Sequence, residues 1–324
     1  TVNAGITTAG GAITLSANHA GFATTANGSL AVNAPLLTKG GKLTASGYNL
    51  SFGVGSSAIT GTGDMDLRSG YAFSLAPGAF LLAANYIDIM ADSVTIDGTL
   101  GATGNRANVS FTPLAPTRGM SISSVKVEGD LSLTPDELNR IQGDGINIGS
   151  SASTGNINVL SDYTSNAGRT PSLVMETAGS IMVGAKLDLA TNYGGTGSVL
   201  LGRYGDQTGN VQVVSGGTIK AGSIFVRSDD MDLSGALNAG AAGSITLMPQ
   251  NGNRQIALGG TVMDGSVLAL SQPELDNLIG GGVTIGGQPG QVNELIVAQA
   301  AHFQNVGKVS LVAGDGNMTL DSPL

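Results

Sequence analysis

Residues 131–149 read LSLTPDELNRIQGDGINIG, and residues 268–286 read LALSQPELDNLIGGGVTIG. The second stretch repeats the first 137 positions later, as from Leu133 to Leu270. Both begin with alternating apolar residues, continue through a polar segment that contains Pro and Glu, and end in a Gly-led apolar segment. An internal repeat of this kind indicates a chain that is built from repeated structural units.

Each copy predicts a short capped helix. A Ser or Thr stands three residues before a Glu, which forms a capping box: the hydroxyl accepts from a backbone N–H of the first turn, and the carboxylate accepts from the N-cap N–H. The capping residues are Thr134 with Glu137 and Ser271 with Glu274. A proline in the first turn and aliphatic residues at i, i+3 extend the predicted helices over 134–142 and 271–279. Gly143 and Gly280 then stand where each helix is expected to stop.

The resemblance between the copies extends beyond the helix, so that residues 117–183 resemble residues 253–320. Upstream of the helix, TRGMSIS matches NRQIALG, and Arg118 then corresponds to Arg254. The repeated unit is predicted to be a strand, a variable link, a second strand, the capped helix and two further strands.

One short phrase recurs along the whole chain: a Gly or small polar residue, any residue, an aliphatic residue, any residue, and a second aliphatic residue. Examples are GAITL at 11, GSIMV at 179, GSIFV at 222 and GSITL at 243. This alternation is typical of a half-buried strand. The leading Gly is expected to supply turn conformations that other residues resist. The chain is therefore predicted to consist mostly of short strands.

The composition favours a parallel solenoid over a β-sandwich. The 324 residues include 51 Gly, no Trp and only 4% aromatic residues, so the interior must be narrow. The Asn-Gly and Asp-Gly hairpin turns that a sandwich would use are few. We predict an all-β fold, a right-handed parallel β-helix (β-solenoid) that is continuous over residues 1–324. With roughly 20 residues per coil and a rise of about 4.8 Å per coil, the rod would be on the order of 75–80 Å long.

Charge and residue types exclude several function classes. The net charge of −9, with only 14 Lys and Arg, leaves no positive stripe for nucleic acid. The chain has no Cys, which excludes disulfides and thiolate metal sites. His19 and His302 are far apart in the sequence, and in a solenoid that separation argues against a catalytic His dyad. The most apolar stretch, residues 71–86, is too short for a membrane span.

The carboxylates offer one weak metal candidate. Asp229, Asp230 and Asp232 lie close together in the sequence and could hold a lone calcium ion, although a solvated turn is the plainer interpretation. A calcium-binding β-roll needs Gly-Gly-x-Gly-x-Asp in tandem, and only isolated fragments of that pattern occur. No catalytic residue and no cofactor are predicted.

These motifs resemble the repeat regions of secreted β-helical adhesins of the filamentous haemagglutinin type, which use two-partner secretion. The similarity lies in an apolar strand, the phrase S/T-x-x-E-L-[ND]-x-[IL] and a Gly-led strand that ends in Ile-Gly. It extends to the Arg-x-Ile-x-Leu-Gly phrase at 254–259, from which the first copy departs with GMSIS at 119–123. The resemblance implies a right-handed parallel β-helical shaft that is secreted across the outer membrane through a partner pore.

The resemblance predicts a structural or adhesive shaft or fibre of a secreted cell-surface protein, and not an enzyme. Expected partners are host or neighbouring-cell surfaces or glycans, the outer-membrane secretion pore, and other copies joined end to end. In such a fibre Thr1–Asn3 would pair with the Leu320 region of a neighbouring copy. Nucleic acid is not an expected partner. Two alternatives stay open: a β-helical carbohydrate-active enzyme or polysaccharide-binding module, and a shaft segment of a contact-dependent toxin-delivery protein.

Overall fold

The structure is a computed structural model, and it describes residues 1–17, 28–101, 107–166, 171–202, 209–251, 254–260, 267–287 and 292–324. The chain divides into two compact units. The first unit comprises Thr1–Ser153 with Ser165–Leu173, and the second comprises Thr154–Thr164 with Val174–Leu324. Strands predominate in both units, and every strand pairing in the described ranges is parallel. The predicted all-β class is therefore confirmed.

The first unit consists of short strands and one helical turn. Its strands are β1 (Ile6–Thr7), β2 (Ile13–Ala17), β3 (Leu30–Val32), β4 (Leu36–Leu37), β5 (Leu43–Phe52), β6 (Ser57–Gly61), β7 (Met65–Leu75), β8 (Phe80–Ala83), β9 (Tyr86–Met90), β10 (Ser93–Ile96), β11 (Thr99–Gly101), β12 (Asn108–Thr112), β13 (Met120–Ile122), β14 (Leu131–Leu133), β15 (Ile141–Gln142) and β16 (Gly145–Gly149). The helix α1 (Pro135–Leu138) lies between β14 and β15. One ladder joins β1, β4, β6, β8, β11 and β15, and a second joins β2, β5, β7, β9, β12 and β16.

The second unit has the same character. Its strands are β17 (Ile157–Val159), β18 (Tyr163–Thr164), β19 (Ser172–Glu176, of which the first two residues belong to the first unit), β20 (Ile181–Val183), β21 (Lys186–Asp188), β22 (Ser198–Leu201), β23 (Val211–Val213), β24 (Thr218–Lys220), β25 (Ser223–Arg227), β26 (Met231–Asp232), β27 (Ala236–Met248), β28 (Arg254–Leu258), β29 (Val267–Leu270), β30 (Leu278–Gly286), β31 (Val292–Val297), β32 (Val309–Val312) and β33 (Asn317–Leu320). A 3-10 turn spans Thr191–Tyr193, and the helix α2 spans Gln272–Asp276. Neither helix in the described part of the chain has the length or apolar content that a membrane crossing requires.

Buried aliphatic columns hold together the rungs, which are the successive strands stacked in one ladder. Along one ladder of the first unit Leu43 pairs with Met65, Met65 with Ile87, and Ile87 with Val109, each 22 residues further along the chain. All four side chains are buried. Less buried residues alternate with them along the same strands. Each rung thus removes apolar surface from water on one face only, which is the main stabilising term in such a stack.

Threonine hydroxyls connect three successive corners of the first unit. The hydroxyls of Thr8 and Thr60 donate to the carbonyl oxygens of Gly11 and Gly63, three residues later, at 2.5 Å each. Thr38 makes the equivalent bond. The Thr8 hydroxyl also lies 3.1 Å from the carbonyl oxygen of Thr38, and the Thr38 hydroxyl lies 3.2 Å from that of Thr60. The same side chain therefore closes its own turn and contacts the next rung.

The glycines that precede the strands have a different role from the one expected. The phrase-leading residues Gly209 and Gly222 do not have positive φ, whereas Gly28 does, at 98°. A Cβ at Gly222 would lie 1.7 Å from the carbonyl oxygen of Gly195 in the adjacent rung. A Cβ at Gly209 would lie 1.6 Å from that of Gly179. The expected role in turn conformation was therefore wrong for these glycines, which are required because stacked backbones approach too closely for a side chain.

Both predicted helices are present, but they are shorter than 134–142 and 271–279. Helix α1 ends at Leu138 and helix α2 ends at Asp276, after about one turn. Ile141 already pairs with Leu100, and Leu278 with Leu237, as strand residues. The predicted helix ends were wrong because Ile141 and Leu278 pair with strands of the preceding rung and do not continue the helices.

The glycines that were expected to stop the helices lie beyond their ends. Gly143 follows strand β15, and a Cβ there would lie 2.1 Å from the carbonyl oxygen of Ala107, so close approach explains it. Gly280 lies inside strand β30. The residues that follow the helices are Asn139 and Asn277, both in right-handed helical conformation.

Each repeat contains one strand that is stacked out of chain order. Strand β14 follows β13 in the sequence, with Met120 paired to Leu131 only 11 residues later, and β14 also contacts β10. After β13 the chain therefore reverses its direction along the stack, so that β14 lies between β10 and β13. Strand β29 does the same beside β28, with Ile256 paired to Leu268, and it contacts β26. A solenoid that advances one rung with every coil does not describe these two positions.

The close approach of stacked glycines gives a direct prediction for stability. Gly222→Ala should lower the free energy of unfolding by about 1–3 kcal/mol because the added methyl group overlaps the rung below. Gly282→Ala is the matched control, since the nearest atom to its Cβ is the Lys308 carbonyl oxygen at 4.0 Å and its φ is not positive. The control should be neutral or slightly stabilising. Urea unfolding followed by circular dichroism measures both, and equal effects would contradict the assignment.

Candidate functional site: the capped-helix modules

The repeated segments form two modules with the same order of elements. The first module, residues 120–149, contains β13, β14, α1, β15 and β16, and the second module, residues 254–286, contains β28, β29, α2 and β30. Leu138 and Leu275 are 0% and 1% exposed, so both helices pack an apolar side chain inward, as predicted. The modules are the regions where α-helix replaces strand in the described part of the chain.

Both capping boxes are present. In the first module the Thr134 hydroxyl accepts from the N–H of Glu137 at 3.2 Å, and Glu137 Oε2 accepts from the N–H of Thr134 at 2.8 Å. In the second module Glu274 Oε2 accepts from both the N–H and the hydroxyl of Ser271, at 2.7 Å each. Each box satisfies backbone groups that the first helical turn cannot pair internally.

The helix of the first module also binds both backbone groups of one residue in the preceding rung. Glu137 Oε1 accepts from the N–H of Ile96 at 2.9 Å, and Arg140 Nη1 donates to the carbonyl oxygen of Ile96 at 2.8 Å. Ile96 is 0% exposed, so water cannot satisfy these groups. Two side chains therefore occupy the place that a strand backbone has elsewhere in the ladder. We call Glu137 with Arg140 the first clamp pair.

The second module makes the same contacts with different chemistry. Glu274 Oε1 accepts from the N–H of Leu233 at 3.1 Å, and Asn277 Nδ2 donates to the carbonyl oxygen of Leu233 at 2.8 Å. The separations along the chain are 41 and 44 residues, as in the first module. Asn277 replaces Arg140, yet the acceptor is equivalent. Glu274 with Asn277 is the second clamp pair.

The second helix also contacts the rung that follows it. The Gln272 side-chain amide accepts from the N–H of His302 and donates to its carbonyl oxygen, both at 2.9 Å. In the first module Asn139 Oδ1 accepts from the N–H of Asn166 at 2.9 Å. Each helix is thus hydrogen-bonded on both sides of the stack. His302 takes part through its backbone, and His19 lies outside the described residues.

Lys126 ties the loop between β13 and β14 to the first clamp pair. Its ammonium group donates to the carbonyl oxygens of Val94 and Ser132, at 2.8 and 2.6 Å, and to Glu137 Oε2 at 2.5 Å. All three ammonium protons therefore have acceptors. Glu137 is 5% exposed. Lys126 gives its carboxylate a cationic partner, which offsets the cost of burying the charge.

An ion pair between a buried Asp and a partly buried Arg accompanies each module. Arg118 Nε lies 3.2 Å from Asp92 Oδ1, which also accepts from the N–H of Ala115 at 3.0 Å. Arg254 Nε lies 3.9 Å from Asp229 Oδ1. The predicted correspondence of Arg118 with Arg254 therefore extends to their acidic partners, Asp92 and Asp229, which are 137 positions apart.

The three calcium candidates do not converge on one point. The Asp229 carboxylate accepts from the N–H groups of Gln250 and Asn251 at 2.8 Å each. Asp230 and Asp232 are exposed, and Asp232 accepts from the N–H and hydroxyl of Ser234, at 3.2 and 2.5 Å. Within the described ranges no three His, Cys, Asp or Glu residues are grouped so that they could hold a metal ion. The calcium site stays a prediction without support from this geometry.

One face of the first unit groups acidic residues that the sequence scatters. Asp66 and Asp88 are directly paired on neighbouring strands, and Arg68 Nε lies 2.7 Å from Asp66. Burial raises the pKa of Asp88, a hydrogen bond from Ser110 lowers it, and the nearby Asp66 charge raises it again, with a net upward shift. Tyr86, which is 49% exposed, begins the same strand as Asp88. The face is polar and open.

Sequence reasoning identified the capping glutamates but missed their partners and the residues that act with them. Arg140 and Asn277 differ in type, so the repeat gave no signal for them. A usable signal existed one rung earlier, where IDGTLG at 96–101 and LSGALN at 233–238 are also 137 positions apart. That correspondence indicates that the rung beneath each helix belongs to the repeat.

No protein-family model matches the chain, and no curated protein or solved structure matches it either.

At one pair of facing strand positions the first module has two serines where the second has two alanines. Ser121 and Ser132 are paired, 1% and 3% exposed, and neither hydroxyl has a hydrogen-bond partner among the described residues. The second module has Ala257 paired with Ala269 there. The double variant Ser121→Ala/Ser132→Ala should be neutral or stabilise the chain by about 1–2 kcal/mol, because it removes unsatisfied buried hydroxyls.

Ser69→Ala is the control for that double variant. Ser69 is equally buried, but its hydroxyl lies 2.8 Å from the Tyr48 carbonyl oxygen and 2.7 Å from that of Ala72. The control should lower the free energy of unfolding by about 1 kcal/mol. Thermal or urea unfolding measures both, and destabilisation by the double variant would contradict the account.

Proposed function

We propose that this chain is a structural and adhesive shaft or fibre of a secreted bacterial surface protein, without catalytic activity. The observation that carries the proposal is the stacking of parallel rungs in each unit, with buried aliphatic columns on one face and polar positions on the other. Parallel stacks of this kind give long surfaces from repeated short segments, as solenoid proteins do.

We further propose that the rungs of both units coil as one right-handed parallel β-helix. Right-handed crossovers between parallel strands are strongly preferred. From β5 to β12 the rung interval is 22 residues, slightly longer than the roughly 20 residues per coil expected for such a helix, and it is 37 residues from Val109 to Ile146, where a module intervenes. Longer intervals give fewer rungs for the same number of residues.

The resemblance to haemagglutinin-type exoproteins supports the proposed location and partners. The chain would be secreted through an outer-membrane pore and displayed at the cell surface, where it would contact host or neighbouring cells or their glycans. Other copies joined end to end would extend the fibre. The absence of Cys suits passage through an oxidising compartment. A shaft segment of a toxin-delivery protein would have the same architecture.

One observation favours a second candidate, a polysaccharide-binding module or carbohydrate-active enzyme. The paired Asp66 and Asp88, the raised pKa of Asp88 and the exposed Tyr86 lie on one open face. Carboxylate pairs in different environments carry glycoside hydrolysis in many enzymes, and aromatic side chains present large apolar surfaces.

Spin labels test the continuous shaft. Thr44 and Asn147 lie four rungs apart on one ladder, and Leu200 and Ser310 lie four rungs apart on another. In the proposed continuous shaft, strand β19 would be the one rung between these two ladders, so that Thr44→Cys and Ser310→Cys would be ten rungs apart, or about 48 Å at 4.8 Å per rung. Double electron–electron resonance should give a narrow distribution near that distance. A broad distribution, or one far shorter, would contradict a single rigid stack.

A binding and cleavage assay tests the function itself. The purified chain, fluorescently labelled at a single engineered Cys, should bind to epithelial or bacterial cells in a saturable way. It should release no reducing ends from a panel of polysaccharides. Saturable binding without cleavage supports the adhesive shaft, whereas cleavage that is lost in Asp66→Asn/Asp88→Asn would replace it with the second candidate.

A further inference from the structure

Short alternating strands specify their pairing register weakly. Strand β16 presents the buried Ile146 and Ile148 opposite the buried Val109 and Phe111 of strand β12. A shift by two residues keeps the aliphatic side chains on the buried face, because side chains alternate with a period of two. Apolar burial alone therefore discriminates poorly between the native register and the shifted ones.

The ambiguity is greatest at the modules. From β5 through β7 and β9 to β12 the paired residues are 22 positions apart, from Ile87 to Val109 for example, whereas 37 residues separate Val109 from Ile146. A longer intervening segment restricts the returning strand less, so more registers are accessible to it. A contact that recognises one particular residue is then needed to select among them.

We propose that the clamp pairs are register-setting contacts, which decide where the chain rejoins the stack after each module. Glu137 and Arg140 bind the N–H and the carbonyl oxygen of the same residue, Ile96. A two-residue shift would leave both groups buried without partners, which costs far more than the small difference in apolar packing. Ile141, one residue after Arg140, pairs with Leu100. The contact therefore fixes the register of β15 against β11, where the chain rejoins the stack after the helix.

The second module supports the inference independently. Glu274 and Asn277 bind the two backbone groups of Leu233, and Leu278, which follows Asn277, pairs with Leu237. The donor to the carbonyl oxygen is an amide here and a guanidinium in the first module. The modules share the glutamate acceptor and the residue position that is bound, and this position is kept although the donor to its carbonyl oxygen differs.

The absence of Cys from the chain makes the register measurable by disulfide trapping. Asn147→Cys is combined in turn with Ser110→Cys, its native partner, and with Asn108→Cys or Thr112→Cys, two residues to either side. Paired Cα atoms in adjacent strands are about 4.8 Å apart, and partners shifted by two residues are about 8 Å apart. Only a pair that is brought into register can form a disulfide, since Cα atoms more than about 7 Å apart cannot be bridged.

Each full-length reporter is refolded from urea under mild oxidation, with or without a change in the clamp pair. Arg140→Ala and Glu137→Ala should raise the ratio of shifted to native disulfide about tenfold, equivalent to about 1.4 kcal/mol. Asp97→Ala is the matched control: Arg140 Nη1 lies 3.2 Å from Asp97, and this variant removes that ion pair while Ile96 keeps both its contacts. The control should leave the ratio unchanged.

Arg140→Ala decides the result if Glu137→Ala fails to fold, because it leaves the capping box and the contact with Lys126 in place. Folding of each variant is established by its far-ultraviolet circular dichroism. An unchanged ratio in folded Arg140→Ala would overturn the proposal. So would an equal rise in Asp97→Ala, since that would reflect a general loss of stability rather than a loss of register.

Discussion

The fold depends on one constraint: every buried backbone N–H and C=O group of a rung must find a partner in the rung beside it. Parallel strands meet this requirement automatically. A helix does not, because its backbone groups bond within the helix. At α1 and α2 the side chains of Glu137, Arg140, Glu274 and Asn277 meet the requirement instead, by binding Ile96 and Leu233. The helices are tolerated in the stack because of these contacts.

The same constraint explains the composition. Rungs that bond backbone to backbone approach closely at their corners, so residues such as Gly209 and Gly222 have no room for a Cβ. Threonine suits three successive corners of the first unit, since one hydroxyl reaches both its own turn and the next rung. Large aromatics are few because each rung contributes only a thin layer of buried side chains. Close stacking therefore explains glycines such as Gly209 and Gly222, whereas others such as Gly28 and Gly78 have the positive φ of turns.

The sequence was informative where the structure is local. Alternation along single segments predicted the strands, and the capping boxes predicted where α1 and α2 begin. The helix ends were missed because Ile141 and Leu278 are captured by the preceding rung, which no local pattern encodes. The reversed order of β13 and β14 was missed for the same reason. The partners of the clamp pairs lie 41 and 44 residues away, so they became visible only once the rungs were in register.

Residue-resolved amide hydrogen exchange of the wild-type chain tests the central claim that helix side chains substitute for a strand. The amide hydrogens of Ile96 and Leu233 are donated to glutamate carboxylates. The account predicts that they exchange as slowly as those of Ile87 and Ile224, which lie in strands paired on both sides. Exchange as fast as in the exposed loop at residues 124–126 would contradict it.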